Sequence, residues 1–78
     1  MSINEVIYMG AAKKIRILLV ERDMTLKELA KLLGKSSSTI SDKLRRDNFT
    51  EKDLMKIAEA LRYDYEAVFT DKDTGKQI

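Results

Sequence analysis

The sequence predicts an all-α fold, and three observations carry that prediction. The 78 residues contain no proline and only three glycines, so little in the chain breaks a helix or turns a hairpin. Two stretches place apolar residues at i, i+3, i+4 and i+7: Leu26, Leu29, Ala30, Leu33, and then Leu54, Ile57, Ala58, Leu61. Each stretch follows a threonine, Thr25 or Thr50, of the kind that caps a helix N-terminus. A chain of this length is one domain with a small core. It must use its apolar residues efficiently or gain stability by dimerising.

The front of the chain reads as a helix in which Ile7, Ala11, Ile15 and Leu18 share a face. The run IRILLV, residues 15–20, would also suit a buried strand, but no second strand is present to pair its backbone. Ile17 and Val20 fall off the stripe. They are expected to lie under neighbouring segments, the alternative being an apolar patch for a partner. The next helix opens with TLKE, a capping box in which Thr25 accepts from a backbone N–H three residues on and Glu28 reaches back. Gly34 stands where that helix should stop, because glycine enters the left-handed region without steric cost.

GKSSSTIS, residues 34–41, has the composition of a flexible linker. Serine disfavours helix interiors and favours N-caps. Ser36 lies two residues past Gly34, and Ile40 and Leu44 follow at i, i+4. The stretch is therefore a helix stop, a turn and a helix start, with a helix over about 36–46. Its apolar edge faces inward, and Ser37, Ser38, Ser41, Asp42 and Arg45 lie on its other faces. A linker would not need Ile40 and Leu44 in register.

Thr50 caps the following helix, which ends at Arg62 or Tyr63 without a glycine. Asp64 is expected to cap a short final helix YEAVF, residues 65–69, with Val68 or Phe69 turned inward. Residues 1–70 are expected to form the domain. TDKDTGKQI carries no apolar pattern, and residues 71–78 are expected to be a disordered tail.

Composition narrows the function. There is no cysteine and no histidine, which removes disulfides, thiolate metal sites and the commonest general base. No apolar run approaches a membrane span, and the start MSINEVIYMG does not read as a signal peptide, so a cytoplasmic location is expected. A Ser–Lys pair could be drawn from Lys35 and Ser36 to Ser38, but without a desolvating pocket or oxyanion donors the expectation is no enzyme and no cofactor. Asp71 and Asp73 could hold a cation weakly, though an acidic tail accounts for them. No small-molecule ligand and no membrane partner is evident. The net charge of +2 hides an uneven distribution. Residues 25–46 carry six bases against two acids, and residues 47–78 five bases against eight acids. A basic segment on an acidic remainder suits a polyanion bound through one face.

Two helices joined by a tight glycine turn, the second polar at its front and basic at its end, make a helix-turn-helix over about 25–46. TLKELAKLLGKSSSTISDKL followed by FTEKDLMKIAEALRYDYEAVF resembles the phage-repressor (Xre/Cro-type) helix-turn-helix family. Leu29, Ala30, Gly34, Thr39, Ile40 and Ser41 match its Leu-Ala, Gly and Thr-Ile-Ser positions, and Ile57, Ala58 and Leu61 its later Ile-Ala-x-x-Leu. The resemblance covers about residues 11–69. It implies a compact five-helix, lambda-repressor-like DNA-binding domain whose third helix enters the major groove.

By position, the resemblance puts Ser37, Ser38 and Asp42 at base edges and makes Lys43 a further candidate there. It puts Lys27, Lys35, Ser36, Arg45, Arg46 and Asn48 at phosphates. The sequence departs from the family pattern in three places. Leu26 stands where the family often has a phosphate-holding glutamine. Ser37 and Ser38 stand where it often has large amides. SDKLRRDNFT departs from its aromatic near Lys43 and glycine near Arg46, with Leu44 and Phe49 packing into the core instead. Asp42 would accept from cytosine N4 or repel phosphate.

The expected function is sequence-specific binding of double-stranded DNA in transcription regulation, repression before activation. One recognition helix per chain implies a homodimer on half-sites about 34 Å apart or a multiple. The dimer surface is either the Ile17/Val20 patch or the C-terminal third. The alternative is a protein-interaction module that keeps the fold without reading DNA.

Overall fold

The computed structural model describes residues 10–78. It contains four helices among those residues: α1 (Ala11–Glu21), α2 (Leu26–Leu33), α3 (Ser37–Arg46) and α4 (Glu51–Leu61). The expected Ile7 position lies outside the described residues.

Three of the four helices begin on a cap of their own, and all four end for a local reason. Thr25 and Glu28 form the expected capping box, with Glu28 N–H donating to Thr25 Oγ1 at 3.1 Å and Thr25 N–H to Glu28 Oε1 at 3.0 Å. Thr50 and Asp53 repeat the device on α4. Ser36 caps α3 by accepting from Thr39 N–H at 3.2 Å. All four helices close on one hydrogen-bond pattern, in which the residue after a left-handed cap donates five residues back. Met24 donates to Leu19, Lys35 to Ala30, Asn48 to Lys43 and Tyr63 to Ala58, at 2.8–3.1 Å. The left-handed residues are Asp23, Gly34, Asp47 and Arg62, so glycine serves only one of the four stops.

The four helices enclose one core of Ala12, Ile15, Leu19, Leu29, Ala30, Ile40, Leu44, Ile57 and Leu61. Leu29 and Leu61 are sealed most completely. Leu26, Leu33, Phe49 and Leu54 pack around its edge. Close helix pairs are α2 with α3, α2 with α4, α1 with α3, and α1 with α4. No polar or charged residue among those described is buried, so solvent-free packing is left entirely to aliphatic groups.

Three expectations change. In α1 the buried stripe is Ala12, Ile15 and Leu19, so Ile15 is buried as expected while Ala11 and Leu18 flank the stripe half-buried. Ile17 and Val20 are not covered by neighbours but stand exposed, at 45% and 79%. The fifth helix over 65–69 is not formed: residues 63–69 carry no helix, and Val68 and Phe69 are exposed instead of turned inward. Arg62 turns left-handed at the end of α4, and the next residues are rich in the aromatic and β-branched types that favour extended backbone. Phe69 and Ile78 exchange both backbone hydrogen bonds, at 3.0 and 2.9 Å, across a turn held by Gly75 N–H to the Asp71 carbonyl.

Candidate nucleic-acid interface

The turn between α2 and α3 spans Gly34 to Ser36. Gly34 has φ 68°, and Ser36 returns to extended backbone at φ −75°, ψ 151°. Those two residues reverse the chain within one step, so α3 lies across α2 with Ile40 and Leu44 buried against it and α1. With this edge inward, the helical repeat of about 100° per residue puts Ser38, Asp42 and Arg45 on the outward side, with Ser41 and Arg46 beside them.

The sequence-predicted residues divide among distinct jobs in this geometry. Ser36 is committed to its cap, and its hydroxyl also lies 2.7 Å from Thr39 Oγ1 and 3.1 Å from Ser38 Oγ. Ser37 and Ser38 are exposed at the front of α3. Asp42 stands half-buried in the middle of the outward face, where it pairs with Arg45 and, at 3.3 Å, with Arg46 Nε. The two arginines are largely exposed, so their heads lie at the C-terminal rim of α3. Asn48 is exposed just past the helix. Lys43 turns the other way: its ammonium sits 2.9 Å from Asp53 Oδ2 on α4.

Lys27 and Lys35 join a third lysine that the sequence reading passed over. Lys27, Lys31 and Lys35 follow one another at i, i+4 and i+8 and line, with Ser37, Glu28 and Ala30, an open groove beside the front of α3. The i+4 spacing from Lys27 was the available signal for Lys31. Basic side chains therefore flank α3 at both ends, lysines at its start and arginines at its finish, with short hydroxyls and Asp42 between.

Electrostatics at the edges of this face favour fixed carboxylates. Glu28 is held below the ordinary carboxylate range by the Thr25 backbone N–H and then by its hydroxyl. Asp53 is lowered first by the Thr50 backbone N–H and next by Lys43. Glu28 stays ionised and engaged by its helix cap, and Asp53 by its cap and Lys43, and among the described residues Lys27, Lys31 and Lys35 make no ion pair. Among the described residues no group of three or more acidic side chains stands together to hold a metal ion. No helix of the described residues is long and apolar enough to cross a membrane.

The arrangement can take a polyanion along a stripe about one helix long. It offers charge at the two ends and hydrogen-bonding groups in the middle, which is the division of labour between phosphate and base contacts. A family model described as helix-turn-helix matches residues 15–68. No curated protein and no solved structure is significantly similar to the chain.

Proposed function

Because the chain belongs to the Xre/Cro-type helix-turn-helix family of DNA-binding transcription regulators, we propose that it reads a specific duplex sequence as a homodimer. In this proposal α3 lies in the major groove. Ser37, Ser38 and Asp42 face base edges, and Asp42 accepts from a cytosine N4 amino group. Lys27, Lys31, Lys35 and the Ser36 turn meet phosphates on one side, and Arg45, Arg46 and Asn48 on the other. Repression is the proposed outcome, since it needs only occupancy of the site.

One observation supports the proposal above the rest. The outward face of α3 is excluded from the core, and its two ends are framed by five bases, Lys27, Lys31, Lys35, Arg45 and Arg46. Two copies are invoked because one such face spans only a half-site. The exposed apolar groups Ile17 and Val20, or Val68 and Phe69, offer surfaces through which the copies could meet.

The test is selection of bound duplexes from a random pool, followed by titration against salt. A palindromic preference with half-sites about 34 Å apart or a multiple supports the reading. So does an affinity that falls linearly in log salt by about 0.9 per phosphate contact. If micromolar protein leaves mixed duplex unbound at low salt, the DNA reading fails. The exposed Ile17 and Val20 would then favour a protein-interaction module on the same fold.

A further inference from the structure

We infer that Lys43 and Asp53 are positioning residues: their ion pair fixes the rotational setting of α3, so Lys43 aims the base-facing side chains and does not itself read DNA. The inference rests on the DNA reading above and assigns Lys43 a different part in it.

The geometry is specific. Lys43 Nζ donates to Asp53 Oδ2 at 2.9 Å, and both side chains are more than two-thirds covered, at 29% and 28% exposure. The same Oδ2 accepts from Thr50 N–H at 3.0 Å, while Asp53 N–H donates to Thr50 Oγ1 at 3.1 Å. Asp53 is therefore locked by its own helix cap before Lys43 arrives. A surface pair between two mobile chains spends most of its attraction on ordering them. Here one partner is already ordered, and the bond is charge-assisted and directional.

The position matters because of what else holds α3. It packs closely on α2 and α1, and the pair α3 with α4 is not among the close helix contacts. Ile40 and Leu44 hold α3 against the core by non-directional apolar burial, and Asp47 ties only its C-terminal end to α1 through Ala12 N–H at 2.8 Å, so the middle of the helix has no other directional tie among the described residues. Lys43 reaches across the remaining gap beside Phe49 and Ile57 to a fixed carboxylate on α4. A roll of α3 would break that bond. The same roll would carry Ser38 and Asp42, on the far side of the helix, away from their bases, and a site loses its discrimination with displacements of this order.

The test compares wild type with Lys43→Met, Asp53→Asn and the double variant, all as the full chain and each checked for folded helix content by circular dichroism. Lys43→Met keeps the aliphatic stem, and Asp53→Asn keeps a side-chain acceptor, so neither should unfold the domain. Each single change should weaken the duplex selected by wild type by roughly three- to ten-fold, and the double variant no more than either single one. The order of base preference and the salt slope should stay as in wild type. Amide hydrogen exchange in α3 without DNA should quicken in both single variants. A shift in preference at one base pair in Lys43→Met, or a salt slope lower by about one, with Asp53→Asn unaffected, would show that Lys43 touches DNA and overturn the inference. Unchanged exchange in α3 would overturn it as well. If wild type binds no duplex, the DNA reading falls by itself, and the exchange comparison still decides whether the pair sets α3.

Discussion

Arg22 donates its Nε hydrogen to the carbonyl of Leu61 at 2.8 Å, tying the end of α1 to the end of α4. Its Nη2 reaches the Arg62 carbonyl at 3.1 Å, and its guanidinium lies 4.0 Å from the centre of the Tyr63 ring. The last carbonyls of a helix have no partner within it, and a cation there also meets the negative end of the helix dipole. Arg22→Ala should destabilise the fold by about 1–2 kcal/mol. Thermal unfolding followed by circular dichroism would then show a midpoint lower by roughly 4–8 °C per kcal/mol. Arg22→Lys should recover less than half of the loss, since an ammonium cannot bond both carbonyls and stack at once. A midpoint unchanged in Arg22→Ala would mean that solvent satisfies those carbonyls equally well.

Asp47 has two tasks at the far end of the molecule. It ends α3 in the left-handed region at φ 52°, and its Oδ1 accepts from Ala12 N–H at 2.8 Å, capping α1 from 35 residues away. Gly10 precedes α1 and has no side chain to cap with, and a Cβ added to it would overlap Asp47 Oδ2. Gly10→Ala should therefore displace the carboxylate and cost about 1 kcal/mol, the usual worth of an N-cap. Asp47→Gly should lose a similar amount although it relaxes the left-handed backbone, and Asp47→Ala should lose more because it keeps the backbone strain as well. Denaturant midpoints rank the three. A stabilised Asp47→Gly would show that backbone relief outweighs the cap.

Asp42 and the arginines oppose one another at the proposed DNA surface. Replacing Arg45 and Arg46 together by Ala should weaken binding to all duplexes alike and flatten the salt slope by about two. Asp42→Asn should act in the other direction. It releases both arginines and removes a negative charge from the proposed DNA surface, so affinity for random duplex should rise roughly threefold to tenfold at low salt. Discrimination for the selected site should shrink. Equal gains on selected and random duplex would show that Asp42 contributes repulsion alone, with no base contact.

Acid should loosen the caps of α2 and α4. Glu28 and Asp53 are both lowered in the folded chain, so their contribution is complete above the ordinary carboxylate range, near pH 4. It disappears as pH falls through the lowered folded values. Unfolding midpoints should stay flat above about pH 5 and drop below about pH 4. The fall should be shallower in Glu28→Gln combined with Asp53→Asn, which retain side-chain acceptors but do not titrate. An acid limb as steep as that of wild type would place its cause in other carboxylates.

Local signals were legible in the sequence wherever the decisive partner lay within one helical turn. Thr25 with Glu28, the cap at Ser36 and the stop at Gly34 all appear as expected, and the stripes of α2 and α4 face the core. The phase of α1 was not legible, because Ile17, Leu18, Leu19 and Val20 are all apolar and a continuous run does not say which side is in. The segment after Arg62 misled for a related reason. Asp64 looks like a cap, but no amphipathic stripe follows it that would repay helix formation.

The sequence by itself determined the helix-turn-helix, its caps, most of its core and the residue types available at the face of α3. Those follow from backbone geometry and from apolar spacing, which act over a few residues. Only the tertiary structure decided which polar groups are spent on holding helices together. Arg22 goes to Leu61, Asp47 to Ala12 and Lys43 to Asp53 because folding brings groups 39, 35 and 10 residues apart within hydrogen-bond distance. A lysine in a string of residues reads the same whether it will meet a phosphate or a carboxylate. Directional bonds of about 3 Å form only once burial of the shared core has brought whole helices together, and that burial reaches across the entire chain.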